Sequence, residues 1–286
     1  MKRTPMNAKP KLSILVLVKD ESLRLPRFFA ALEPLRLPHE VVLVDSGSRD
    51  GSQALGARLG ARVLRVKWEG FSATRNKAFA SCRADWILVL DADENPEPAL
   101  LAAIERAVTL EPAGLWSVNR LSSFLGVPVR HSGWHPDRHL RLFPKGAARF
   151  NERLVHEGME SAVPDALVRC LDGVLRHDSY PDLDSYLARM NRYTSLQAEE
   201  LRSRKGRRPL TAALRMLADP PLTFLKMYVL KSGFLDGSTG LLLAILSAFS
   251  TFVKYAKWRQ LSLAPAPAPA PAPAPSPAKA HPKGRP

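Results

Sequence analysis

Cysteine is nearly missing from this 286-residue chain, with only Cys82 and Cys170 present. Two isolated thiols give neither a disulfide framework nor a zinc cluster, which suits a reducing compartment. Acidic residues are also short, 27 against 42 Lys and Arg, for a formal net charge of +15. That imbalance calls for an anionic partner: nucleic acid, an anionic membrane face or a phosphorylated substrate. No G-x-x-x-x-G-K-[ST] segment occurs, so a P-loop nucleotide site is excluded. The apolar run at 12–18 is seven residues long and leads into Lys19, Asp20 and Glu21, where a signal peptide needs small residues. No signal peptide is expected.

What is present is a 45% hydrophobic chain, ample for a core. Apolar runs at 12–18, 40–46, 61–66 and 86–93 alternate with helical patterns, one holding Leu25, Phe28, Phe29 and Leu32 behind a Ser22 cap, another closing at Gly60, a third over 70–82. Strands alternating with helices predict βαβ units: an α/β fold with a mainly parallel central sheet and helices on both faces. Further on, 115–125 reads as a strand and 138–160 as a hairpin turning at Pro144–Ala147. Residues 182–202 read as a helix whose face carries Leu183, Tyr186, Leu187, Met190, Tyr193, Gln197 and Leu201. The expected organisation is a basic tail (1–11), a catalytic domain (12–180), a helical, basic and apolar extension (181–262), and a disordered Ala-Pro-rich tail (263–286).

Ligands of parallel sheets sit at the carboxyl ends of the strands. Asp20, Glu21, Asp45 and the group Asp91, Asp93 and Glu94 all fall there. Asp91 and Asp93 have no basic neighbour in sequence, and two carboxylates that close need a compensating charge. Hard oxygen ligands on a strand-end loop suit Mg²⁺ or Mn²⁺, which would also hold a diphosphate.

The segments VLVKDE, VVLVDSGSRDGS, GFSATRNKA and WILVLDADE resemble the successive motifs of the family 2 glycosyltransferases of GT-A fold. SGWHPDRHLRLF, RLVHE, RHDSY and GFLDG are similar, in order, to the bacterial lipopolysaccharide-core β-glucosyltransferase branch, so the resemblance spans roughly 12–258. It implies that Glu21 and Asp45 hold the ribose and base of a nucleotide, with Ser48 and Asp50 shaping the loop. Arg75 and Asn76 would approach nucleotide or sugar, Asp91 the ribose or sugar, and Asp93 the metal. Inversion at the sugar needs one base to take the acceptor proton. Family members often carry a Glu-Asp pair there, where this chain has His156-Glu157. Glu157 is the expected base, with His156 supporting metal or phosphate and Asp137 the second candidate. Arg138 and Arg141 are candidates for diphosphate or a phosphorylated acceptor.

Several residues admit plainer readings. His131, His135 and His139 are spaced four apart, but Gly133 and Pro136 break the helix that would align them as ligands. His177 reads equally as packing, cap or function, and Asp45 as a helix cap. Trp68 reads as a core aromatic, and Trp134 equally as core or as an acceptor platform. The run 202–208, five of its seven residues basic, reads beside apolar 210–258 as a contact for anionic lipid. Within it, 237–253 has no charge but contains two Gly, three Ser and two Thr, so a partly inserted helix pair is expected rather than a span.

The sequence therefore predicts an inverting, metal-dependent hexosyltransferase using a UDP-sugar and a lipopolysaccharide-core or lipid-linked acceptor, peripheral on the cytoplasmic side of the plasma membrane. Nucleic acid is not an expected partner, since the basic run holds no stacking aromatics. The alternatives are a basic nucleic-acid-binding protein and a metal-dependent nucleotidyltransferase, the latter disfavoured because no glycine follows the first strand.

Overall fold

Four runs of β-branched residues and leucine set the centre of the molecule, seen in a computed structural model that describes residues 9–110, 114–151 and 158–263. β1 (Leu12–Val18), β2 (His39–Asp45), β3 (Arg62–Arg65) and β4 (Trp86–Asp91) are parallel neighbours in the order β3-β2-β1-β4. β1, β2 and β4 are buried on both faces, which is why these runs lack strict alternation with polar residues, while β3 at the sheet edge is only half-buried. Leu12, Ile14, Val16, Leu43, Leu88 and Leu90 face one layer of core; Leu15, Val42, Val44, Ile87 and Val89 face the other. The first layer is covered by α1 (Leu25–Leu32), α2 (Ser52–Arg58) and, after the short β5 (Glu94–Pro96), α4 (Pro98–Leu110). α3 (Phe71–Phe79) covers the second.

The sheet continues with β6 (Leu115–Phe124), β7 (Val127–Pro128), β8 (Asp137–Pro144) and, beyond the small pair β9 (Ala148–Phe150) and β10 (Met159–Ser161), β11 (Val168–Tyr180). Among the described residues its order is β3-β2-β1-β4-β8-β6-β11-β5, with β7 on β6. β8 is antiparallel to both β4 and β6, β6 and β11 are parallel, and β5 is antiparallel to β11. A mainly parallel sheet with helices on both faces is therefore what the alternation of apolar runs predicted.

Three local expectations need correction. The segment 138–160 is not one hairpin: a turn does form at Pro144–Ala147, but β8 inserts between β4 and β6, and the ladder joins β9 to β10. Ser22 does not cap α1, because the helix begins only at Leu25 with Arg24 at the cap position; the Ser22 N–H donates instead to Asp50 Oδ2 at 2.8 Å. The buried stripe of α5 (Leu183–Lys205) runs through Tyr186, Thr194 and Ala198, leaving Leu183 and Tyr193 exposed. Leu187, Met190 and Leu201 of the expected face do pack on the core. The ammonium of Lys257, on the last helix, lies 2.7–2.9 Å from Asn191 O and Oδ1, Thr194 Oγ1 and Ser195 Oγ, which accounts for the burial of Thr194.

α6 (Pro209–Leu225) continues as a π-turn over 226–230 and, after a tight turn and a 3₁₀ segment at 233–236, the chain returns as α7 (Gly237–Leu263). The two helices pair antiparallel and rest on α5 through Tyr255 and Trp258. The Gly233–Leu263 segment is long and apolar enough to cross a membrane by length and composition. Residues 1–8 and 264–286, which contain most of both expected tails, and 152–157 lie outside the described residues.

Gly173 shows how tightly β11 seats on α4. Its φ is +97°, and a Cβ there would lie 2.5 Å from Leu100 N and 2.7 Å from Leu100 Cα. A side chain combines a left-handed backbone with overpacking, so Gly173→Ala is expected to cost ~3 kcal/mol; the midpoint of urea unfolding checks it.

Candidate functional site

Parallel register brings the strand ends to one edge: Val18 lies beside Asp45, and Leu17 beside Asp91. The two loops beyond β1 and β2 are then stitched together. Asp20 N donates to Ser48 Oγ (2.9 Å), Arg49 N to Asp20 Oδ1 (2.7 Å), Glu21 N to Ser52 Oγ (2.8 Å) and Ser22 N to Asp50 Oδ2 (2.8 Å). Ser52 Oγ and N donate to Asp50 Oδ1, and these bonds, the hydroxyl's above all, hold the Asp50 carboxyl well below the usual range. Ser48 and Asp50, to which the resemblance gave the shaping of this loop, thus both accept bonds across it.

Asp45 is buried, and its two oxygens differ. Oδ1 accepts from Gly47 N (2.9 Å), Ser48 N (3.1 Å) and Gln53 Nε2 (2.8 Å), while Oδ2 is buried without a partner. Burial pushes this carboxyl up, but the bonds from Ser48, Gly47 and Gln53 outweigh it and hold it low. It is a loop cap with one oxygen to spare. Glu21 is pushed above the ordinary value, mainly by burial, despite its 2.7 Å ion pair with Arg24; Asp93 and Asp50 are among the charges that raise it.

The carboxylates after β4 do have basic neighbours, brought from far along the chain. Arg75 of α3 pairs with Asp91. Arg141 of β8, 6% exposed, lies 2.6 Å from Glu94 and 3.5 Å from Asp91. Arg120 of β6 lies 3.5 Å from Glu94 and 2.8 Å from Asp137. Glu94, fully buried, also accepts from Asp91 N at 3.0 Å. Burial alone would raise the Asp91 carboxyl, but Arg75 and Arg141 hold it at about 2. The compensating charge for Asp91 is thus protein-borne, and Arg141 spends one guanidinium nitrogen on Glu94 and Asp91 while its Nε is buried without a partner among the described residues.

Asp93 is different. Its nearest charged partner among the described residues is His177 Nε2, 3.5 Å from Oδ2. His177 Nδ1 faces Ser122 Oγ (3.1 Å) and Ser179 Oγ (2.9 Å), which fixes the ring. Among the described residues no group of three or more His, Cys, Asp or Glu is arranged to hold a metal by itself. The Asp93 carboxylate fits a hard cation whose remaining ligands are phosphate oxygens and water, the usual habit of Mg²⁺, with the His177 imidazole beside it to orient the carboxylate.

The other candidates are placed as follows. Asn76 spends both amide groups on Phe150, donating to its O (2.9 Å) and accepting from its N (2.8 Å), so it anchors β9 rather than reaching for a ligand. Asp137 is bound by Arg120 and by His139 Nε2 (2.8 Å). Burial would raise its carboxyl, but the His139 bond and the Arg120 charge keep it at about 2. That is a poor match for a general base working near neutrality. Arg138 is exposed. Trp134 packs edge-on to Phe124 and against Tyr180, in a core cluster, whereas Trp68 is 44% exposed against Phe71. The three spaced histidines serve separate acceptors: His131 serves Asp236, His135 the carbonyl of Arg120, and His139 Asp137. His156 and Glu157 lie outside the described residues. Sequence reasoning passed over Arg120 and undervalued His177. The single charge in the strand 115–125 was the signal for the first.

The sequence model described as Glycosyl transferase family 2 matches residues 13–163. A lipopolysaccharide core biosynthesis glycosyltransferase, LpsC, of Rhizobium meliloti (strain 1021) is 29% identical over 88% of this chain and 95% of its own. An uncharacterized glycosyltransferase, RP128, of Rickettsia prowazekii (strain Madrid E) is 26% identical over 88% of each. Glucosyl-3-phosphoglycerate synthase from Mycobacterium tuberculosis, solved with Mn²⁺, UDP and glucosyl-3-phosphoglycerate, aligns with TM-score 0.33 and 21% identity. That alignment covers 40% of this chain and 44% of that one, too distant a likeness to carry an argument.

Removing one partner of a buried ion pair strands the other charge. Glu94→Gln is therefore expected to destabilise the fold by about 3 kcal/mol in urea unfolding. Asp91 sets a pH dependence: a carboxyl depressed from 3.8 to about 2 contributes stability that is full above its ordinary value and lost as pH falls between the two. Acid titration of Asp91→Asn should show a shallower loss of stability over that window.

Proposed function

The chain belongs to glycosyl transferase family 2, and from that premise we propose that it moves a hexose, with inversion, from a UDP-sugar to a lipopolysaccharide-core or lipid-linked saccharide. The observation that carries the donor half is the unused polar capacity at the strand ends. Asp45 Oδ2 is a buried acceptor without a donor, Arg75 Nε is a buried donor without an acceptor, and Asp93 lies outside the arginine network. A nucleobase N–H answers the first, and a nucleoside diphosphate with a divalent cation answers the others. Similarity to LpsC supports the acceptor class.

In this reading Asp45 takes the base, Glu21 the ribose, and Asp93, oriented by His177, holds Mg²⁺ or Mn²⁺. When bound, the cation neutralises charge on the leaving diphosphate. Arg75, held by Asp91 and by Phe150, whose ring centroid lies 5.0 Å from its guanidinium carbon, is a second, fixed positive charge beside that group. The acceptor hydroxyl gives its proton to a base as its oxygen bonds to the anomeric carbon, and the nucleoside diphosphate leaves with the electrons of the broken C–O bond. Glu157 remains the proposed base, since the Asp137 carboxyl is too acidic for the role.

The C-terminal hairpin fits a membrane-borne acceptor. Leu210, Leu214, Leu217, Leu222 and Leu225 make an exposed stripe along α6, and Ile245 and Phe249 one along α7. Arg202, Arg204, Lys205 and Arg208 stand at one end of it, in the pattern of a helix pair lying in the headgroup region of an anionic leaflet. We place it on the cytoplasmic face, where the few, free cysteines are at home.

Mass-resolved transfer from UDP-glucose to deacylated lipopolysaccharide core, with Mn²⁺, tests the reaction. EDTA should abolish it, and Asp93→Ala should lower kcat/KM by ~100-fold or more; undiminished transfer in EDTA would contradict the metal role.

A further inference from the structure

One carboxylate ties the C-terminal hairpin to the loop that feeds β8. Asp236, its side chain 5% exposed, accepts from Arg130 N (3.1 Å), His131 N (3.0 Å), Ser132 Oγ (3.3 Å) and His131 Nδ1 (3.0 Å). Ser132 N donates back across the same seam to Lys231 O at 2.9 Å. A buried carboxylate filled by four donors is a stiff joint, because moving either segment strands the charge.

Both backbones are bent to meet there, with φ +59° at Ser132 and +53° at Ser232. The seam leaves no slack. A Cβ on Gly233 would lie 2.8 Å from Ser132 Oγ, and one on Gly240 would lie 1.9 Å from Gly233 O.

From Ser132 the chain runs directly into the site. Trp134 enters the aromatic cluster, His135 meets the carbonyl of Arg120, and Asp137 meets the guanidinium of Arg120, which reaches Glu94. On the other side of the joint, Val229, Leu230, Phe234 and Leu235 are exposed at the hairpin tip, within seven residues of Asp236. Whatever immobilises that tip immobilises the joint.

We propose that Asp236 is a positioning residue that makes the placement of β8, with Asp137, His139 and Arg141, depend on the seating of the α6–α7 hairpin on an anionic lipid surface. The inference rests on the membrane reading of the hairpin given above. It leaves the nucleotide half alone: Glu21 and Asp45 sit on loops stitched to each other, and none of their bonds involves the joint.

Hydrogen exchange of the full chain, with and without phosphatidylglycerol–phosphatidylcholine vesicles, tests it. In the wild type, vesicles should slow exchange both along 210–235 and, by about tenfold, at the amides of 130–141. Asp236→Asn, and separately His131→Gln as the gentler change, should keep vesicle binding and UDP affinity yet lose the slowing at 130–141. Protection of 210–235 with no change at 130–141 in the wild type, or the same change in both variants, overturns the coupling and leaves the membrane reading standing. No vesicle binding by the wild type overturns both.

Discussion

The Arg141–Glu94 ion pair is the constraint around which the site is arranged. Glu94 is fully buried and Arg141 nearly so, and neither would tolerate that position alone. Their union fixes the end of β4 against β8 and leaves Asp91 to Arg75 and Asp137 to Arg120. Three arginines thus face three carboxylates, and the cluster is close to neutral. Asp93 feels the charges of Arg141 and Arg24, but among the described residues only His177 comes within ion-pair distance of it. In the proposed reading, a chain that neutralises some carboxylates with its own arginines and leaves one for an ion separates the structural from the ligand-binding role within three residues.

This arrangement divides the labour of the two halves of the sheet. The parallel strands β1, β2 and β4 deliver loops that cross-link each other and leave Asp45 Oδ2 unpaired. The inserted antiparallel strand β8 delivers the counter-charges and is tied, through Asp236, to the helices that carry the apolar stripe. The donor side is rigid by its own bonds, and the other side is anchored to the extension.

Strand positions and strand-end carboxylates were legible because they depend on local runs of apolar residues and on a topology rule. The partners of those carboxylates were not. Arg75 lies 16 residues from Asp91, and Arg141 lies 50 from Asp91 and 47 from Glu94, separations that no local pattern reports. That is why the local pattern alone, without the resemblance, made Asp91 and Asp93 look equivalent. Asn76 misled for the same reason, since its partner Phe150 is 74 residues away. The face of α5 was legible at Tyr186, Leu187, Met190 and Leu201, and missed at Thr194, whose partner Lys257 is 63 residues away.

The central claim is that Asp93, and not Asp91, is the carboxylate left for the cation. Mn²⁺ binding in the presence of UDP, followed by electron paramagnetic resonance of the free ion, compares Asp91→Asn with Asp93→Asn directly. The account predicts that Asp93→Asn loses Mn²⁺ affinity while Asp91→Asn keeps it within a few-fold, at the cost of a looser fold. Equal loss in both would contradict it and return Asp91 to the metal.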